Sequence, residues 1–348
     1  MLVVLFNAVK VESVPLNFNQ FFGDTTPGAA GQLLRLARRL ERQLSAQRTF
    51  QQPSVRYFTM TESNSGKSQR GTRLDLNTVT DVVREPLDPP GAQWQAGDAF
   101  LAGGTWLFSD PQPDLRRLID LMPLGWDTLT ASDSGLEIGA MCTIRDLYAF
   151  TSPASWRAAP LFTTSCEAFL ASFKVWNTAT VGGNICLSLP AGPMITMTVA
   201  LEATYTLRAP DGSERIVDAA DFVTGNNANI LATGEVLRKI DIPASALRKR
   251  HTHRRFTLTR LGRSTIFMIA TQDQNADDLL LTITAGTTRP IRLAFHSMPD
   301  ADALARRIDE LPDELWFDDP NGSPDHRRHL AGHYAEEIRA EFAAGGLS

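Results

Sequence analysis

Cysteine is scarce in this sequence. The 348 residues contain three cysteines, Cys142, Cys166 and Cys186, and no two of them form a Cys-x-x-Cys pair. An odd number without paired spacing argues against a disulfide framework, a zinc site and an iron–sulfur cluster held by this chain. We therefore expect a reducing, cytoplasmic environment and no metal site.

The sequence also lacks a large excess of charge and a long apolar run. Its formal net charge is −5, from 34 basic and 39 acidic residues. This balance gives no basic field for nucleic acid or for an anionic membrane surface. No stretch approaches the roughly 20 apolar residues that a transmembrane helix needs. The apolar start, MLVVLFNAV, has no basic segment before it and does not match a signal peptide.

Familiar catalytic and nucleotide-binding signatures are missing as well. The sequence has no G-x-G-x-x-G at a strand-to-helix junction and no G-x-x-x-x-G-K-[ST], which disfavours a Rossmann dehydrogenase and a P-loop enzyme. It has neither a G-x-S-x-G nucleophile elbow nor an H-E-x-x-H helix. These absences leave no candidate catalytic residue.

Short apolar runs alternate with helical segments from residue 73 onward, which predicts an α+β fold. We expect a first domain at 73–243 and a second domain of sheet and helices at 244–348. Residues 1–72 differ from the rest of the chain in sequence pattern and composition, and we interpret them as an N-terminal extension that is peripheral or partly disordered. This extension contains a basic helical segment at Leu33–Leu44, and Met60 is an alternative start.

Local patterns predict individual elements. Turn residues at Asp133–Gly135 and at 210–212 indicate two hairpins. Thr143 is the expected N-cap of one helix, and the segment 155–173 is helical in composition. After Pro243, the basic run LRKRHTHRR is interpreted as a solvated linker. Three strand-like runs and two helices, at about 300–311 and 324–342, then complete the chain.

Two glycine-rich segments carry the chemical signal. They are Leu101-Ala-Gly-Gly-Thr105, called glycine loop 1, and Thr180-Val-Gly-Gly-Asn184, called glycine loop 2. Each follows an extended run, where a backbone without side chains can turn tightly and bring its amides to an anionic ligand. Together they predict a pyrophosphate site made of backbone amides.

With their context, these loops resemble the FAD-binding medium subunit of molybdenum hydroxylases. The first match extends over Phe100–Leu107, and Leu118–Leu121, Gly135–Ala140, Ser188–Gly192 and Gly234–Pro243 resemble the surrounding family segments. The resemblance implies a two-lobed FAD-binding domain of the xanthine dehydrogenase/vanillyl-alcohol oxidase type. A C-terminal domain like that of the carbon monoxide dehydrogenase flavoprotein follows it.

The resemblance also implies which residues contact FAD. Amides of both loops would hold the pyrophosphate, and Leu237 and Leu170 would lie near the isoalloxazine ring. The implied contacts are Phe100, Leu101, Ala102, Gly103, Gly104, Thr105, Trp106, Leu107, Leu170, Thr180, Val181, Gly182, Gly183, Asn184 and Leu237.

Three positions depart from the family pattern. Pro193 stands where many relatives carry an aspartate that binds the ribose or adenine side, and Leu170 stands where an aromatic residue is common. Leu258 replaces a lysine close to the flavin, with Arg260 and Arg263 nearby as substitutes. We expect these changes to alter FAD affinity and flavin potential.

The function implied by the resemblance is electron transfer within a larger complex. The partners would be a small [2Fe–2S] subunit and a large molybdopterin-containing subunit, with electrons passing through FAD to NAD or another acceptor. Two alternatives remain open: a stand-alone FAD-dependent oxidase or reductase, and a degenerate, flavin-free interaction module.

Overall fold

The chain is described by a computed structural model that covers residues 76, 78–126 and 128–345. The expected N-terminal extension, with its basic helix at 33–44 and the alternative start at Met60, lies outside these ranges. Within them, no helix is both long and apolar enough to cross a membrane.

The first sheet is small and parallel, and it places glycine loop 1. Its strands run in the order β1-β3-β2. They are β1 (Asp81–Val83), β2 (Asp98–Leu101) and β3 (Arg117–Asp120). The guanidinium of Arg117 donates to the buried carboxylate of Asp98 at 2.9 and 2.6 Å. This pair joins the starts of β2 and β3, so that glycine loop 1 leaves the sheet at the far end of β2.

The second sheet has five antiparallel strands and contains both predicted hairpins. Its order is β4-β5-β10-β6-β7. The strands are β4 (Leu129–Ser132), β5 (Gly135–Gly139), β6 (Thr204–Arg208), β7 (Glu214–Asp218) and β10 (Val236–Pro243). A separate two-stranded ribbon consists of β8 (Val223–Gly225) and β9 (Ala228–Asn229). The turn predictions at 133–135 and 210–212 are confirmed.

Short helices connect these strands. They are α1 (Ile144–Ala149), α2 (Pro160–Ala168), α3 (Phe173–Trp176), α4 (Val181–Leu187), α5 (Pro193–Ala200), α6 (Ala219–Phe222) and α7 (Ala244–Leu247). Thr143 caps α1 as predicted, because its side chain accepts a hydrogen bond from the Asp146 amide. The predicted helix at 155–173 is shorter, since proline fixes its start at Pro160 and the chain leaves the helix at Phe169.

The third sheet occupies the C-terminal part, with its four antiparallel strands in sequence order. They are β11 (Arg250–Thr257), β12 (Ser264–Gln272), β13 (Leu279–Thr284) and β14 (Ile291–Phe295). Helices α8 (Ala301–Asp309) and α9 (Pro324–Ala343) follow, and short 3-10 turns occupy Met122–Leu124 and Asp313–Leu315. The three predicted strands and both predicted helices are confirmed.

The basic linker prediction is wrong. The segment forms β11, which pairs with β12 from Arg250 to Thr257. Helix α9 provides acidic partners for the charged side chains of this strand. Arg254 lies 2.7 Å from Glu337 and 2.9 Å from Glu341. These glutamates are more than 80 residues away in the sequence, so the local charge pattern could not reveal them.

The third sheet connects two hydrophobic cores through its alternating side chains. Phe267 and Ile269 of β12 belong to the core around the second sheet. Ile266 and Met268 belong to the core under α8 and α9, as the two-residue repeat of a strand requires. The hydroxyls of Thr196 and Thr284 meet at 2.6 Å between α5 and β13. The third sheet is therefore packed against the helices that carry the candidate site.

Candidate cofactor-binding site

A cavity of about 790 Å³ lies where the two glycine loops meet β10 and the β11–β12 hairpin. Its volume is within the range of about 300–1,000 Å³ that is typical of ligand and cofactor sites. Of the predicted cofactor contacts, all except Leu101 and Val181 line it. The structure therefore brings together residues that lie more than 130 positions apart in the sequence.

The two exceptions, Leu101 and Val181, contribute to the hydrogen bonding and packing of the fold. Val181 is completely buried in the core. Leu101 is the last residue of β2, and its carbonyl accepts a hydrogen bond from the Leu121 amide at 3.0 Å. Leu258, at the position of the family lysine, is exposed and is not among the cavity-lining residues.

Glycine loop 1 lies directly against the chain that leads into glycine loop 2. A Cβ atom on Gly103 would come 1.9 Å from the carbonyl oxygen of Thr178. Only glycine permits this approach. Gly103 thereby holds the two loops side by side at one wall of the cavity.

The amides of glycine loop 1 are available to a ligand. Within the described ranges, the backbone N–H groups of residues 102–107 donate to no protein acceptor. Buried or half-buried N–H groups are normally paired, and a run of free amides around a turn is a favourable site for an anion. This loop fits the diphosphate of a dinucleotide.

Glycine loop 2 differs from the prediction that its amides also hold pyrophosphate. The amides of Val181 and Gly182 donate to the carbonyls of Cys142 and Ala140 at 2.8 and 3.0 Å. The Gly183 amide donates to the Thr180 hydroxyl at 2.9 Å, and the Asn184 amide to the Thr180 carbonyl at 3.0 Å. The last two donors are paired because helix α4 begins here with Thr180 as its N-cap, and the first two are paired by tertiary contact with residues 140–142.

Asn184 is a polar residue of glycine loop 2 that lines the cavity, as does Thr180. Its Oδ1 accepts a hydrogen bond from the Met194 amide at 3.1 Å. That bond orients the side chain of Asn184 and leaves its amide nitrogen as a donor. The neighbouring Pro193 occupies the first turn of α5, where its missing N–H has no cost.

Two acidic groups in the cavity wall are unsuited to proton transfer. Glu235 accepts two hydrogen bonds of 2.7 Å from Arg215, and this guanidinium lowers the pKa of the Glu235 carboxyl. Burial raises the pKa of the Cys186 thiol to about 12. At neutral pH the carboxylate stays ionised and paired, and the thiol stays protonated.

Several wall residues were not predicted from the sequence. They are apolar and come from loops without a recognisable motif: Phe169, Ala171, Leu189, Leu231 and Leu261. The stretch Ser188–Gly192 carried a family resemblance, which was the available signal for Leu189. The others line the cavity through tertiary packing alone.

Known families provide an independent comparison. Residues 92–245 match the family described as the FAD binding domain in molybdopterin dehydrogenase. This part of the chain is similar to the FAD-binding domain of that family. The match covers glycine loop 1, glycine loop 2 and β10, and it confirms the predictions of FAD as cofactor and of the fold. Arg263, another cavity residue, lies outside the matched segment.

Relatives of this FAD-binding domain occur in oxidoreductases. The chain is 33% identical to the carbon monoxide dehydrogenase medium chain of Hydrogenophaga pseudoflava over 156 residues, 42% of this chain and 51% of the relative. It is 25% identical to a putative xanthine dehydrogenase FAD-binding subunit of Escherichia coli over 289 residues, 77% of this chain and 95% of the relative. Xanthine dehydrogenase 1 of Arabidopsis thaliana is 24% identical over 123 residues, and the chain spans only 9% of its length.

Solved structures share the fold beyond the FAD-binding domain. Carbon monoxide dehydrogenase from Hydrogenophaga pseudoflava superposes with a TM-score of 0.64 at 21% identity, covering 78% of this chain and 98% of that chain. Quinoline 2-oxidoreductase from Pseudomonas putida gives a TM-score of 0.62 with the same identity and coverage. The third sheet and its helices therefore belong to the shared architecture.

Proposed function

We propose that this chain is the FAD-binding electron-transfer subunit of a molybdenum-hydroxylase-type oxidoreductase. The observation that carries the proposal is the cavity within the FAD-binding domain, with the free amides of residues 102–107 in its wall. When bound, FAD accepts electrons singly or in pairs and passes them to an acceptor.

In this proposal, different walls of the cavity bind different parts of FAD. The free amides of glycine loop 1 hold the diphosphate, and the side-chain amide of Asn184 donates a further hydrogen bond. Leu237, which is almost fully buried, and Leu170 supply apolar contacts to the ring. The remaining predicted contacts line the same cavity, apart from Leu101 and Val181.

The titratable side chains favour electron transfer over a stand-alone oxidase. An oxidase that acts on its own substrate commonly needs a positioned base to take up a proton. Among the described cavity residues, the carboxylate of Glu235 is paired with Arg215 and the Cys186 thiol has a pKa of about 12. Neither group is suited to that task at neutral pH.

Partners follow from the same proposal. A small [2Fe–2S] subunit would deliver electrons from a large molybdopterin-containing subunit, and FAD would pass them to NAD or to another acceptor. We place the complex in the cytoplasm. We also propose 73–243 as the FAD-binding domain and 244–348 as the C-terminal domain.

The proposal is tested by purifying the tagged full chain from its native host under mild conditions. We expect two further subunits to copurify, with FAD, non-haem iron and molybdenum in the complex and reduction of FAD by the substrate of the molybdenum subunit. An isolated chain that carries FAD and oxidises a small molecule without partners would instead establish the stand-alone enzyme. An isolated chain that does not bind FAD would indicate the flavin-free interaction module.

A further inference from the structure

The charged residues of the cavity wall leave one cation without a partner. Among the described residues that line the cavity, Arg263 is the one with a positive side chain. It is exposed and makes no hydrogen bond or ion pair with any described residue. The acidic residue of the wall, Glu235, is already neutralised by Arg215. A negatively charged ligand in this cavity therefore has one free side-chain cation to meet.

Another arginine donates hydrogen bonds to both sequence neighbours of Arg263. The Nε of Arg255 donates to the Ser264 hydroxyl at 2.7 Å, and its Nη2 donates to the Gly262 carbonyl at 3.3 Å. Arg255 lies on β11 and Ser264 begins β12. The guanidinium of Arg255 thus fixes the two neighbours of Arg263 at the mouth of the cavity. A positioned arginine loses less freedom when it binds than a mobile one.

We infer that Arg263 contacts bound FAD and balances its negative charge from the turn between β11 and β12, and that Arg255 positions it. This inference rests on the proposed FAD site and extends it beyond the matched segment 92–245. FAD carries negative charge in its diphosphate, and its ring system gains negative charge on reduction. Arg263 reaches one of these two parts of the same molecule.

A contact of Arg263 with the diphosphate and a contact with the ring system have different measurable effects. A contact with the diphosphate strengthens binding of FAD but not of riboflavin, which has no phosphate. A contact with the ring favours the reduced form, because a fixed cation stabilises the form with more negative charge. The midpoint potential of bound FAD then falls when the cation is removed.

The test compares four full-length chains: wild type, Arg263→Ala, Arg263→Lys and Arg289→Ala. Arg289 is also exposed but is not among the residues lining the cavity, so Arg289→Ala is the matched control. Dissociation constants for FAD and riboflavin, and the midpoint potential of bound FAD, are measured for each. A hydrogen bond to a charged group corresponds to a change of roughly 10- to 100-fold in affinity. We expect Arg263→Ala to lose affinity in that range or to lower the potential, and Arg263→Lys to recover part of the loss.

The positioning role of Arg255 has its own readout. Arg255→Ala should weaken the same property as Arg263→Ala, and the double variant should be no worse than Arg263→Ala alone, because both act through one contact. Additive effects would overturn the positioning role.

The inference fails if Arg263→Ala matches the wild type in both FAD affinity and potential, or if Arg289→Ala changes them to the same extent. That failure differs from failure of the proposed function, in which the wild-type chain itself would not bind FAD.

Discussion

Gly103 and Thr178 are in direct backbone contact: a Cβ atom on Gly103 would lie 1.9 Å from the Thr178 carbonyl oxygen. This contact joins two segments that are 75 positions apart and brings glycine loop 1, with its free amides, against the start of glycine loop 2. The geometry of the proposed FAD site therefore depends on glycine, which has no Cβ atom, at position 103.

The first prediction concerns this contact. Gly103→Ala should lower the free energy of unfolding by about 1–3 kcal/mol, the usual cost of inserting a group into a packed region, and should weaken FAD binding. Urea denaturation and an FAD titration measure the two effects. Gly332→Ala is the control, because an added Cβ there meets nothing within 4 Å and alanine favours the surrounding helix. Equal behaviour of the two variants would contradict the account.

The second prediction separates the two functions of the Asn184 side chain. Asn184→Asp keeps an oxygen for the Met194 amide but replaces the donor nitrogen with a second oxygen. We expect an unchanged melting temperature and FAD affinity weakened by roughly 10-fold or more, since a donor to an anion is lost. A variant that binds FAD as tightly as the wild type would exclude Asn184 as a donor.

The third prediction concerns the cap of α4. Thr180→Ala removes the acceptor of the Gly183 amide and should cost about 1 kcal/mol of stability, as is usual for an N-cap threonine. Thr180→Ser keeps the hydroxyl and should retain most of the stability. The two variants are compared by chemical denaturation. A Thr180→Ser chain as unstable as Thr180→Ala would show that the hydroxyl is not the cause.

The fourth prediction follows from His251 in β11. Burial, together with the nearby charge of His253, lowers the pKa of His251. The folded pKa then lies below the unfolded value of about 6.5, so the unfolded chain binds the proton more readily. Stability should be constant above that pH and should fall as the pH decreases below it. Melting temperatures between neutral and mildly acidic pH measure this loss, and it should be smaller in His251→Gln. Equal pH dependence in both chains would contradict the assignment.

Much of the fold could be predicted from local sequence signals. The hairpin turns at 133–135 and 210–212 depend on residues within the turns themselves, and the N-cap at Thr143 depends on its own hydroxyl. Strand β11 could not be predicted in this way. Its charged residues are stabilised by Glu337 and Glu341 of α9, which the chain reaches only after three further strands and one helix.

The candidate site was predicted to a similar extent. Both glycine loops are at the cavity, as their composition suggested, but their amides differ in hydrogen bonding. In glycine loop 2, the amides of Val181 and Gly182 donate to the carbonyls of Cys142 and Ala140, about 40 residues earlier. That difference depends on tertiary contacts. The same holds for Arg263, whose free charge is evident only once the other wall residues are known.

FAD binding by this chain is tested most directly by titrating the purified full chain with FAD, with flavin absorption as the signal and with quantification of the flavin released on denaturation. We expect saturable binding with one FAD per chain and no comparable binding of FAD to a control protein that has no FAD site. A chain that is folded, as judged by its circular dichroism and cooperative unfolding, and that takes up no FAD at saturating concentration would contradict this expectation.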